Sequence, residues 1–557
     1  MRFHNMKKAI IFLSGGLLLF TACKTDDPGT LTPPTRKLQI TSVQLNNAYL
    51  TNNSELYGVS FSKAPIVRIV FNDSINLTKF ISSAVTFSGE IGTNFSATQG
   101  DNNKTLLLTG SVLPKALTEY SIAINSGDNL GGQISTSFSA KFVTALDSTP
   151  KFPVISDDSL LTLVQKKTFD YFWSYAHSAS GLARERLGSG ETVTTGGSGF
   201  GIMTIPVAIQ RGFISRQQGY ERINKIVTFL SLSTTDKFHG AFPHWMNGTT
   251  GKVIPFSTKD DGADLVETAF LMQGLLTVQS YFKDGNTAEK ALCANIETLW
   301  ENVDWTWFQQ NGQQKLFWHW SPNYAWDMNM PIVGWNESLI VYLLAASSTT
   351  HAISKSVYNS GFARNGTMKN GKTFYGVTLP LGEDNGGPLF FAHYSFLGLN
   401  PHNLSDVYAN YWTQNTAHAR INYNYCVANP KAYYGYSANC WGLTASDIQN
   451  GYTASSPNND VGVIAPTAAL ASFPYTPAES MRALHFFYYT LGDKIWGDYG
   501  FKDAFNLNTR WFADSYLAID QGPIVVMIEN YRTGLIWNLF MQNIHIQTGL
   551  TKLGFSY

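Results

Sequence analysis

The sequence predicts a small all-β domain followed by a large all-α domain, and three observations support this division. Short β-branched or alternating runs, separated by Asn, Asp, Gly and Ser clusters, occupy residues 37–145. From residue 157 onward, apolar residues recur instead at helical spacing. The chain has 557 residues, more than a single hydrophobic core usually supports, so two domains or one large ring of helices are expected.

The first 22 residues predict export. A basic start is followed by an apolar run over residues 9–20 and by small residues before Cys23, which is typical of a bacterial signal peptide. The stretch 20–23 resembles a lipobox, in which Cys23 becomes the lipidated first residue. Ordinary secretion with cleavage nearby is the alternative.

Residues 23–36 are polar and Pro-rich, as expected of a tether between a lipid anchor and a folded domain. Asp26 and Asp27 resemble the acidic tract that follows the lipidated Cys in surface-exported lipoproteins of Bacteroidetes. We therefore expect an outer-membrane lipoprotein that faces the periplasm or the cell surface.

Residues 37–146 are predicted to form an immunoglobulin-like β-sandwich, because short strands alternate with turn clusters at regular spacing. No catalytic constellation is visible there, and a spacer or a cap on the catalytic domain is the expected role. The predicted strands are 39–45, 66–71, 84–87, 105–108, 120–124 and 136–143.

Residues 155–557 are predicted to be helical, with about a dozen helices joined by long Gly-, Pro- and aromatic-rich loops. There is no alternating series of strands and helices, so no parallel sheet is expected. Paired helices with polar motifs in their loops fit an (α/α)6 barrel, and the pattern leaves another all-α array open. The clearest predicted helices are 215–232, 263–282, 287–303, 337–346, 406–418, 477–491 and 522–542.

Charge and cysteine content exclude several classes of function. Lys plus Arg and Asp plus Glu each number 39, so the formal net charge is zero and no nucleic-acid partner is expected. Beyond Cys23, the odd number of cysteines argues against a disulfide framework; Cys426 and Cys440 could pair, or all could be free thiols. No Cys or His cluster has metal-ligand spacing, so neither a metal nor a cofactor is expected.

Carboxylates are crowded into residues 260–267, although only 14% of the chain is charged, against roughly a quarter in an ordinary soluble domain. If this segment is helical, Asp260, Asp264 and Glu267 share one face. The residues that follow are apolar nearly all round, so the helix should be buried and its acidic start should open into a cavity. A solvated helix start with acidic caps is the alternative.

Two further carboxyl groups stand at the starts of apolar runs. Glu337 lies between Trp335 and the apolar run 339–344, and Asp520 precedes the run 524–528. Cleavage of a glycosidic bond needs two carboxyl groups, one of which must hold a proton near neutral pH. A buried Glu337 would do so, while a favourable interaction with the helix dipole is the alternative reason for its position.

Aromatic-rich loops supply candidate sugar-binding residues, because flat rings stack on sugar faces while neutral polar groups bind hydroxyls. Stretches 238–248 and 317–322 mix indoles with such groups. Arg184, Glu185 and Arg186 could reach hydroxyls or form a structural ion-pair network. The Gly-rich stretch 196–201 predicts a turn that lets the backbone approach a helix or ligand. The loop candidates are His244, Trp245, Asn247, Trp318 and His319.

Nine ordered stretches resemble the bacterial "putative glucoamylase" domain and, more closely, glycoside hydrolase family 144, the β-1,2-glucanases. The resemblance covers residues 155–557 and leaves out the β-sandwich. The stretches are 196–205, 238–247, 260–274, 318–322, 335–338, 386–397, 440–447, 456–463 and 518–535.

This resemblance implies an (α/α)6 barrel that hydrolyses β-1,2-glucan with inversion and releases sophorose or short sophoro-oligosaccharides. It implies that Glu337 is the essential Glu, assigned here as general acid. Asp264, then Asp260 and Asp520, are ranked as the residue that activates water, and Glu267 also lines the cleft. The remaining expected substrate-binding residues are Asp261, Arg184, Asn336, His393, Trp441 and Asp447.

Two alternatives stay open. A hydrolase or lyase of the same fold could act on another polysaccharide, although a lyase needs a basic pocket and Arg and Lys are scarce in the motifs. A non-catalytic, glycan-binding surface lipoprotein would use the sandwich and the aromatic loops, but it would not need a buried acidic cluster. Under the leading hypothesis we expect a monomer whose partners are a glucan polysaccharide or oligosaccharide and, through the lipid anchor, the outer membrane.

Overall fold

The computed structural model describes residues 35–100 and 102–557, and the chain divides into two compact units, Met1–Ala145 and Leu146–Tyr557. The predicted signal peptide, nearly all of the tether and Cys23 lie outside the described residues. Among the residues that are described, no helix combines the length and the apolar character that crossing a membrane requires.

The first unit is built from strands in its described part. All six predicted runs form strands, and six further strands join them. A five-stranded sheet has the order β3-β2-β5-β8-β7, a four-stranded sheet β4-β12-β9-β6, and a three-stranded sheet β1-β11-β10. The strands are β1 (Lys37–Leu38), β2 (Ile40–Leu45), β3 (Ala48–Leu50), β4 (Glu55–Val59), β5 (Ile66–Phe71), β6 (Val85–Phe87), β7 (Phe95–Gln99), β8 (Thr105–Gly110), β9 (Glu119–Ile124), β10 (Gly127–Asn129), β11 (Gly132–Ile134) and β12 (Phe138–Thr144).

Alternation along the strands explains the core of this unit. In β5, every second side chain from Val67 is buried while Ile66 is exposed, and in β9 Tyr120 and Ile122 are buried in the same way. Successive side chains point to opposite faces of a strand, so each sheet gives one apolar face to a shared core. The two larger sheets therefore bury a single core between them.

The second unit is mainly helical. Its helices are α1 (Asp157–Trp173), α2 (Thr195–Gln210), α3 (Arg216–Ser231), α4 (Leu265–Phe282), α5 (Thr287–Glu301), α6 (Leu339–Ser347), α7 (Lys355–Ser360), α8 (Tyr411–Ala428), α9 (Pro466–Leu470), α10 (Pro477–His485), α11 (Gly492–Ile495), α12 (Ala518–Thr533), α13 (Leu535–Met541) and α14 (Ile544–Leu553).

Two kinds of helix alternate in this unit. Helices α2, α4, α6, α9 and α12 are buried nearly all round, whereas α3, α5, α10 and α14 bury one face. Among the buried helices, α2 packs against α4 and α12, α4 against α6, and α12 against α9. A helix that is apolar on every side must be surrounded by protein, so these five form an inner layer.

The Gly-rich stretch 196–201 lies inside α2 rather than in the predicted turn. Its glycines still permit the close approach that the sequence predicts, because a Cβ atom at Gly199 would overlap the backbone carbonyl of Phe270 in α4. Helices α2 and α4 therefore pack backbone against backbone. This contact fixes the start of α2 beside the start of α4.

Short strands order the loops of the second unit. The pair β16–β18 places Asp264 opposite His319, so two predicted motifs far apart in sequence become neighbours. These strands are β13 (Thr192–Thr194), β14 (Trp245–Asn247), β15 (Val253–Ile254), β16 (Ala263–Asp264), β17 (Leu316–Phe317), β18 (His319–Trp320), β19 (Pro331–Ile332), β20 (Thr373–Phe374), β21 (Val377–Thr378), β22 (Ala445–Ile448), β23 (Gly451–Ala454), β24 (Trp496–Gly497), β25 (Gly500–Phe501), β26 (Phe505–Asn506) and β27 (Trp511–Phe512).

Candidate active site

A cavity of about 400 Å³ opens at the starts of the inner helices. Glu267 from α4, Glu337 from the loop before α6, and Leu517 and Ile519 at the start of α12 all contribute to its wall. Each of these side chains precedes or begins a buried helix, so the inner layer brings them together. The aromatic lining consists of Trp245, Phe256, Phe270, Trp318, Phe390, Tyr394 and Tyr452.

Glu337 reaches this cavity from the turn that precedes α6. It lies one residue before Ser338, the N-cap of α6, and its backbone carbonyl accepts a hydrogen bond from the hydroxyl of Ser395. Burial, together with the nearby charges of Glu267 and Asp264, raises the pKa of Glu337 to about 7. The group therefore keeps its proton at pH values where an exposed Glu has lost it.

Glu267 faces the same cavity from the first turn of α4. Its carboxylate accepts a hydrogen bond from the backbone N–H of Gly196 at 2.7 Å and lies 3.5 Å from the hydroxyl of Thr194. Burial raises the pKa of Glu267. The starts of α2 and α4 are thus joined through this carboxylate.

Asp264 is a helix cap, as the alternative interpretation of this acidic segment proposed, although it is buried rather than solvated. The helix begins at Leu265, and Asp264 is its N-cap in extended backbone conformation (φ −118°, ψ 110°). One carboxylate oxygen accepts the backbone N–H groups of Val266 and Glu267 at 3.0 and 2.9 Å. The prediction that Asp260, Asp264 and Glu267 share one helical face is therefore wrong, since only Glu267 lies in the helix.

The second oxygen of Asp264 accepts a hydrogen bond from Nδ1 of His244 at 2.9 Å. Burial opposes charge on His244, but the carboxylates of Glu267, Asp264 and Asp260 outweigh it and raise the pKa of His244 to about 9. Burial would likewise raise the pKa of Asp264, but His244 holds it below the ordinary value. His244 therefore presents a positive charge to the cavity that it lines.

Asp260 and His319 lie directly beside this pair. Oδ2 of Asp260 is 3.4 Å from Nε2 of His319, while Oδ1 of Asp260 is buried without a hydrogen-bond partner in the described part of the chain. Burial, followed by the charge of Asp264, raises the pKa of Asp260 to about 7. This carboxyl group also holds a proton near neutrality.

The same residues contain the one set of potential metal donors found among the described residues. One ligand atom each from His244, Asp260 and Asp264 lies within 4.8 Å of the others. However, His244 and Asp264 already satisfy each other by a direct hydrogen bond. The group therefore works as a proton-sharing network as it stands.

A second acidic group surrounds Asp520, which is buried in the first turn of α12. Burial and the neighbouring Asp503 raise the pKa of Asp520 well above its ordinary value, and burial raises the pKa of Asp503 to about 7. Oδ2 of Asp503 accepts the backbone N–H of Asp447 at 2.7 Å. Two neighbouring buried carboxyl groups do not readily ionise together, so this pair holds at least one proton near neutral pH.

Asp447 itself lies at a neighbouring groove rather than in the cavity. Its carboxylate accepts hydrogen bonds from Arg186 at 3.0 Å and from the Ser515 hydroxyl at 2.5 Å. Arg186 lines both the cavity and the groove. Arg186 and Asp447 therefore mark the boundary between the two spaces.

Several residues predicted to bind substrate support the loops instead of lining the cavity. The guanidinium of Arg184 donates to the carbonyl of Gly190 at 3.1 Å and packs over Tyr175. The side chain of Asn247 accepts two backbone N–H groups in its own turn. Asp261 accepts hydrogen bonds from Ser321 and Asn323 and thereby fixes the next loop. These three predictions are not matched by the positions of the side chains.

Three more predicted binding residues serve the fold. Trp441 is fully buried and donates its indole N–H to the carbonyl of Glu479. His393 is buried against Ser472, and burial lowers its pKa to about 3, so it stays neutral. Asn336 accepts the backbone N–H of Ser338 and so orders the turn that carries Glu337. Only Asn336 acts near the cavity, and it does so indirectly.

Sequence reasoning found some of the cavity residues and missed others. Glu185 and Arg186, which the sequence singled out together with Arg184, line the cavity, whereas Arg184 does not. Tyr394 lies within one of the stretches that carry the family resemblance, so a signal for it existed. Tyr452 stands on the β22–β23 hairpin, where no periodicity marked it. Asp503, which neighbours Asp520 and does not line the cavity, comes from an irregular segment without such a signal.

Buried carboxyl groups that hold protons near neutral pH, set among indole and phenol rings at one end of a helical core, define a glycoside hydrolase type of site. A family model described as "Putative glucoamylase" matches residues 329–544. A solved structure described as a putative glucoamylase from Bacteroides uniformis is 58% identical, covers 73% of this chain and 99% of its own, and has a TM-score of 0.72.

An endo-β-1,2-glucanase from Chitinophaga pinensis is 52% identical over 72% of this chain and 99% of its own, with a TM-score of 0.71. An exo β-1,2-glucooligosaccharide sophorohydrolase from Parabacteroides distasonis is 47% identical over 428 residues, or 73% of this chain. The match spans 59% of that relative's length. The chain belongs to this bacterial "putative glucoamylase" family, which is glycoside hydrolase family 144.

Proposed function

We propose that this protein hydrolyses β-1,2-glucosidic bonds in β-1,2-glucan or its oligosaccharides by an inverting acid–base mechanism, releasing sophorose or short sophoro-oligosaccharides. The observation that carries the proposal is the meeting of Glu337 and Glu267 in one aromatic-lined cavity. The activities named for the two relatives from Chitinophaga pinensis and Parabacteroides distasonis support the choice of linkage.

Glu337 is the proposed general acid. Breaking the glycosidic bond leaves negative charge on the departing oxygen, and a proton supplied there lowers the barrier. With a pKa of about 7, Glu337 is largely protonated in a mildly acidic or neutral medium. No described side chain accepts a hydrogen bond from its carboxyl group, so the proton is free to go to substrate.

Asp520, coupled to Asp503, is the proposed group that activates water. Asp264, ranked first from the sequence, is a poor candidate because its oxygens already accept two backbone N–H groups and His244. Above the pKa of Asp503, about 7, the Asp503–Asp520 pair carries one negative charge that can accept a proton. Burial is the main cause of the raised pKa of Tyr394 and of Tyr452, two residues of the cavity wall, and the charge of Asp520 is the second cause.

The cavity wall supplies the groups that sugar recognition requires. Trp245, Trp318 and the half-exposed ring of Phe256 offer flat faces for pyranose rings. The charged imidazole of His244 and the guanidinium of Arg186 offer hydrogen-bond donors to hydroxyl groups. We assign substrate binding to these five residues.

The first experiment measures turnover of linear β-1,2-glucan by Glu337→Gln. We expect kcat to fall by roughly 10²- to 10⁴-fold, since this is the usual contribution of a general acid. Glu221→Gln, at an exposed position of α3, is the matched control and should keep wild-type turnover. A wild-type kcat in Glu337→Gln would refute the assignment of Glu337 as general acid. If a panel of polysaccharides shows activity only on another linkage, the proposed β-1,2-glucan substrate is refuted.

The second experiment compares Asp520→Asn with Asp260→Asn. We expect the larger loss of kcat for Asp520→Asn, because the carboxyl group of Asp260 already lies 3.4 Å from Nε2 of His319. Proton NMR of the first product should show the anomeric configuration opposite to that of the substrate bond. A larger loss for Asp260→Asn would transfer the role of base to Asp260.

We also propose the finer architecture and the location of the protein. The sheet order of the first unit supports an immunoglobulin-like sandwich, and the alternation of buried and one-faced helices supports an (α/α)6 barrel. The N-terminal pattern around Cys23 supports an outer-membrane lipoprotein that faces the periplasm or the cell surface. We also propose that the protein acts as a monomer. Cys23→Ser should move the protein from the membrane fraction to the soluble fraction, and unchanged fractionation would contradict the anchor.

A further inference from the structure

A second groove of about 510 Å³ lies beside the active-site cavity. The β22–β23 hairpin stands between the two spaces: Ala445 and Tyr452 line the cavity, while Asp447 and Gly451 line the groove. Arg186 lines both. A polymer bound in the cavity could therefore continue past Arg186 into the groove.

Trp511 gives this groove a surface suited to a sugar ring. It lies on β27, opposite Asn506 on β26, in a short hairpin. Its neighbour Phe512 stacks on Phe505, whereas Trp511 has no aromatic partner in the described part of the chain. A half-buried indole whose face is not used by the fold can stack on a pyranose ring.

The polar groups of the groove are held in place. Asp447 is fixed by Arg186 at 3.0 Å and by Ser515 at 2.5 Å, and its backbone N–H is bound by Asp503 at 2.7 Å. A carboxylate accepts more than two hydrogen bonds, so Asp447 keeps acceptor capacity for a hydroxyl group. Fixed polar groups beside an indole match a neutral sugar better than a charged ligand, because the charges already neutralise one another.

We propose that this groove binds glucosyl residues of the same β-1,2-glucan chain, on the far side of the β22–β23 hairpin from the bond that is cleaved. The inference rests on the proposed function and extends it to chain length. Trp511 is the stacking platform, and Arg186 and Asp447 hold hydroxyl groups at the boundary. The groove thereby favours long glucans over short oligosaccharides.

The test compares kcat/KM for a long linear β-1,2-glucan with kcat/KM for a β-1,2-linked trisaccharide. Trp511→Ala should lower the ratio of kcat/KM for the long glucan to kcat/KM for the trisaccharide by roughly tenfold, which is the effect of losing one buried aromatic contact. Trp511→Tyr retains a ring and should restore most of the ratio. Tyr531→Ala is the control: it removes an exposed ring at the opposite end of α12, about 20 Å along the helix from the cavity, and should leave the ratio unchanged.

Binding measurements separate this proposal from the proposed function. In the Glu337→Gln protein, calorimetry should show tighter binding of the long glucan than of the trisaccharide, and adding Trp511→Ala should remove that difference. If the wild-type protein releases no sugar from β-1,2-glucan, the proposed function fails. The binding comparison still shows whether the groove binds the glucan chain. If Trp511→Ala changes neither the kcat/KM ratio nor the difference in binding, the proposal that this groove binds glucan is overturned. If Trp511→Ala lowers the ratio and Trp511→Tyr restores it, misfolding is excluded as the cause of the loss.

Discussion

The carboxylate of Glu267 accepts the backbone N–H of Gly196 at 2.7 Å, and a Cβ atom added at Gly196 would lie 2.6 Å from the same oxygen. The first turns of α2 and α4 are thus joined at the cavity by a contact that only glycine permits. Because Glu267 also raises the pKa of Glu337, the position of this one carboxylate affects both packing and chemistry.

Gly196→Ala should therefore impair catalysis. Within a helix this change normally stabilises by up to about 1 kcal/mol, but here the methyl group must displace the carboxylate of Glu267. We expect kcat/KM on β-1,2-glucan to fall at least roughly tenfold with no gain in thermal stability. Undiminished turnover, or a raised melting temperature, would show that the contact tolerates a side chain.

Glu337→Gln should stabilise the fold while it removes activity. Burial raises the pKa of Glu337 from an ordinary value of 4.5 to about 7, so the folded state holds a proton that the unfolded state releases. The contribution of protonated Glu337 to the free energy of unfolding is complete below pH 4.5 and is lost as pH rises through 7. Above that pH, the buried charge lowers the free energy of unfolding by about 3 kcal/mol. Glutamine avoids that cost.

Denaturant unfolding at pH 5 and pH 8 checks this prediction. The free energy of unfolding of Glu337→Gln should exceed that of the wild type at pH 8, and the excess should shrink at pH 5. Glu221→Gln, on the exposed part of α3, should show no such pH-dependent excess. An equal effect of both substitutions would argue against a raised pKa for Glu337.

Glu267→Gln should shift the pH profile of kcat/KM. Activity requires protonated Glu337 and should decline as pH rises through about 7. After burial, the charge of Glu267 is a further cause of that raised pKa, so neutralising Glu267 should lower it. The alkaline limb should then move to lower pH, and a limb that stays in place or moves upward would contradict the coupling.

Asp264→Asn and Asp264→Ala should separate capping from electrostatics. Asparagine is as good an N-cap as aspartate, whereas alanine loses the cap at a cost of about 1 kcal/mol. Both variants remove a charge that raises the pKa of His244, so both should lower that pKa from about 9 toward its ordinary value of 6.5. Proton NMR of the imidazole and thermal unfolding give the two readouts.

The order of stability of the two Asp264 variants is the decisive result. Asp264→Ala should be less stable than Asp264→Asn, although the two should share the lowered pKa of His244. If both lose equal stability, the hydrogen bond to His244 rather than the helix cap would account for the role of Asp264.

Two features could be predicted from the sequence: the change from strands to helices, and the carboxyl groups that stand at the starts of buried helices. Alternation along 66–71 and the all-apolar stretch after Glu267 depend on local periodicity, and Glu337 stands before a run that must be buried. These features follow from side chains close together in sequence, so they could be predicted without coordinates.

Which residues meet in the cavity depends on the tertiary structure. Asp264 is a buried helix cap because the chain is extended there. Trp441, in a loop, belongs to the core because it packs against Tyr423 of α8 and donates to the carbonyl of Glu479 in α10. Asp503 and Tyr452 reached the site from segments without periodicity, carried by loop geometry. The physical reason is that side-chain direction and pKa depend on neighbours distant in sequence, whose packing no local pattern encodes.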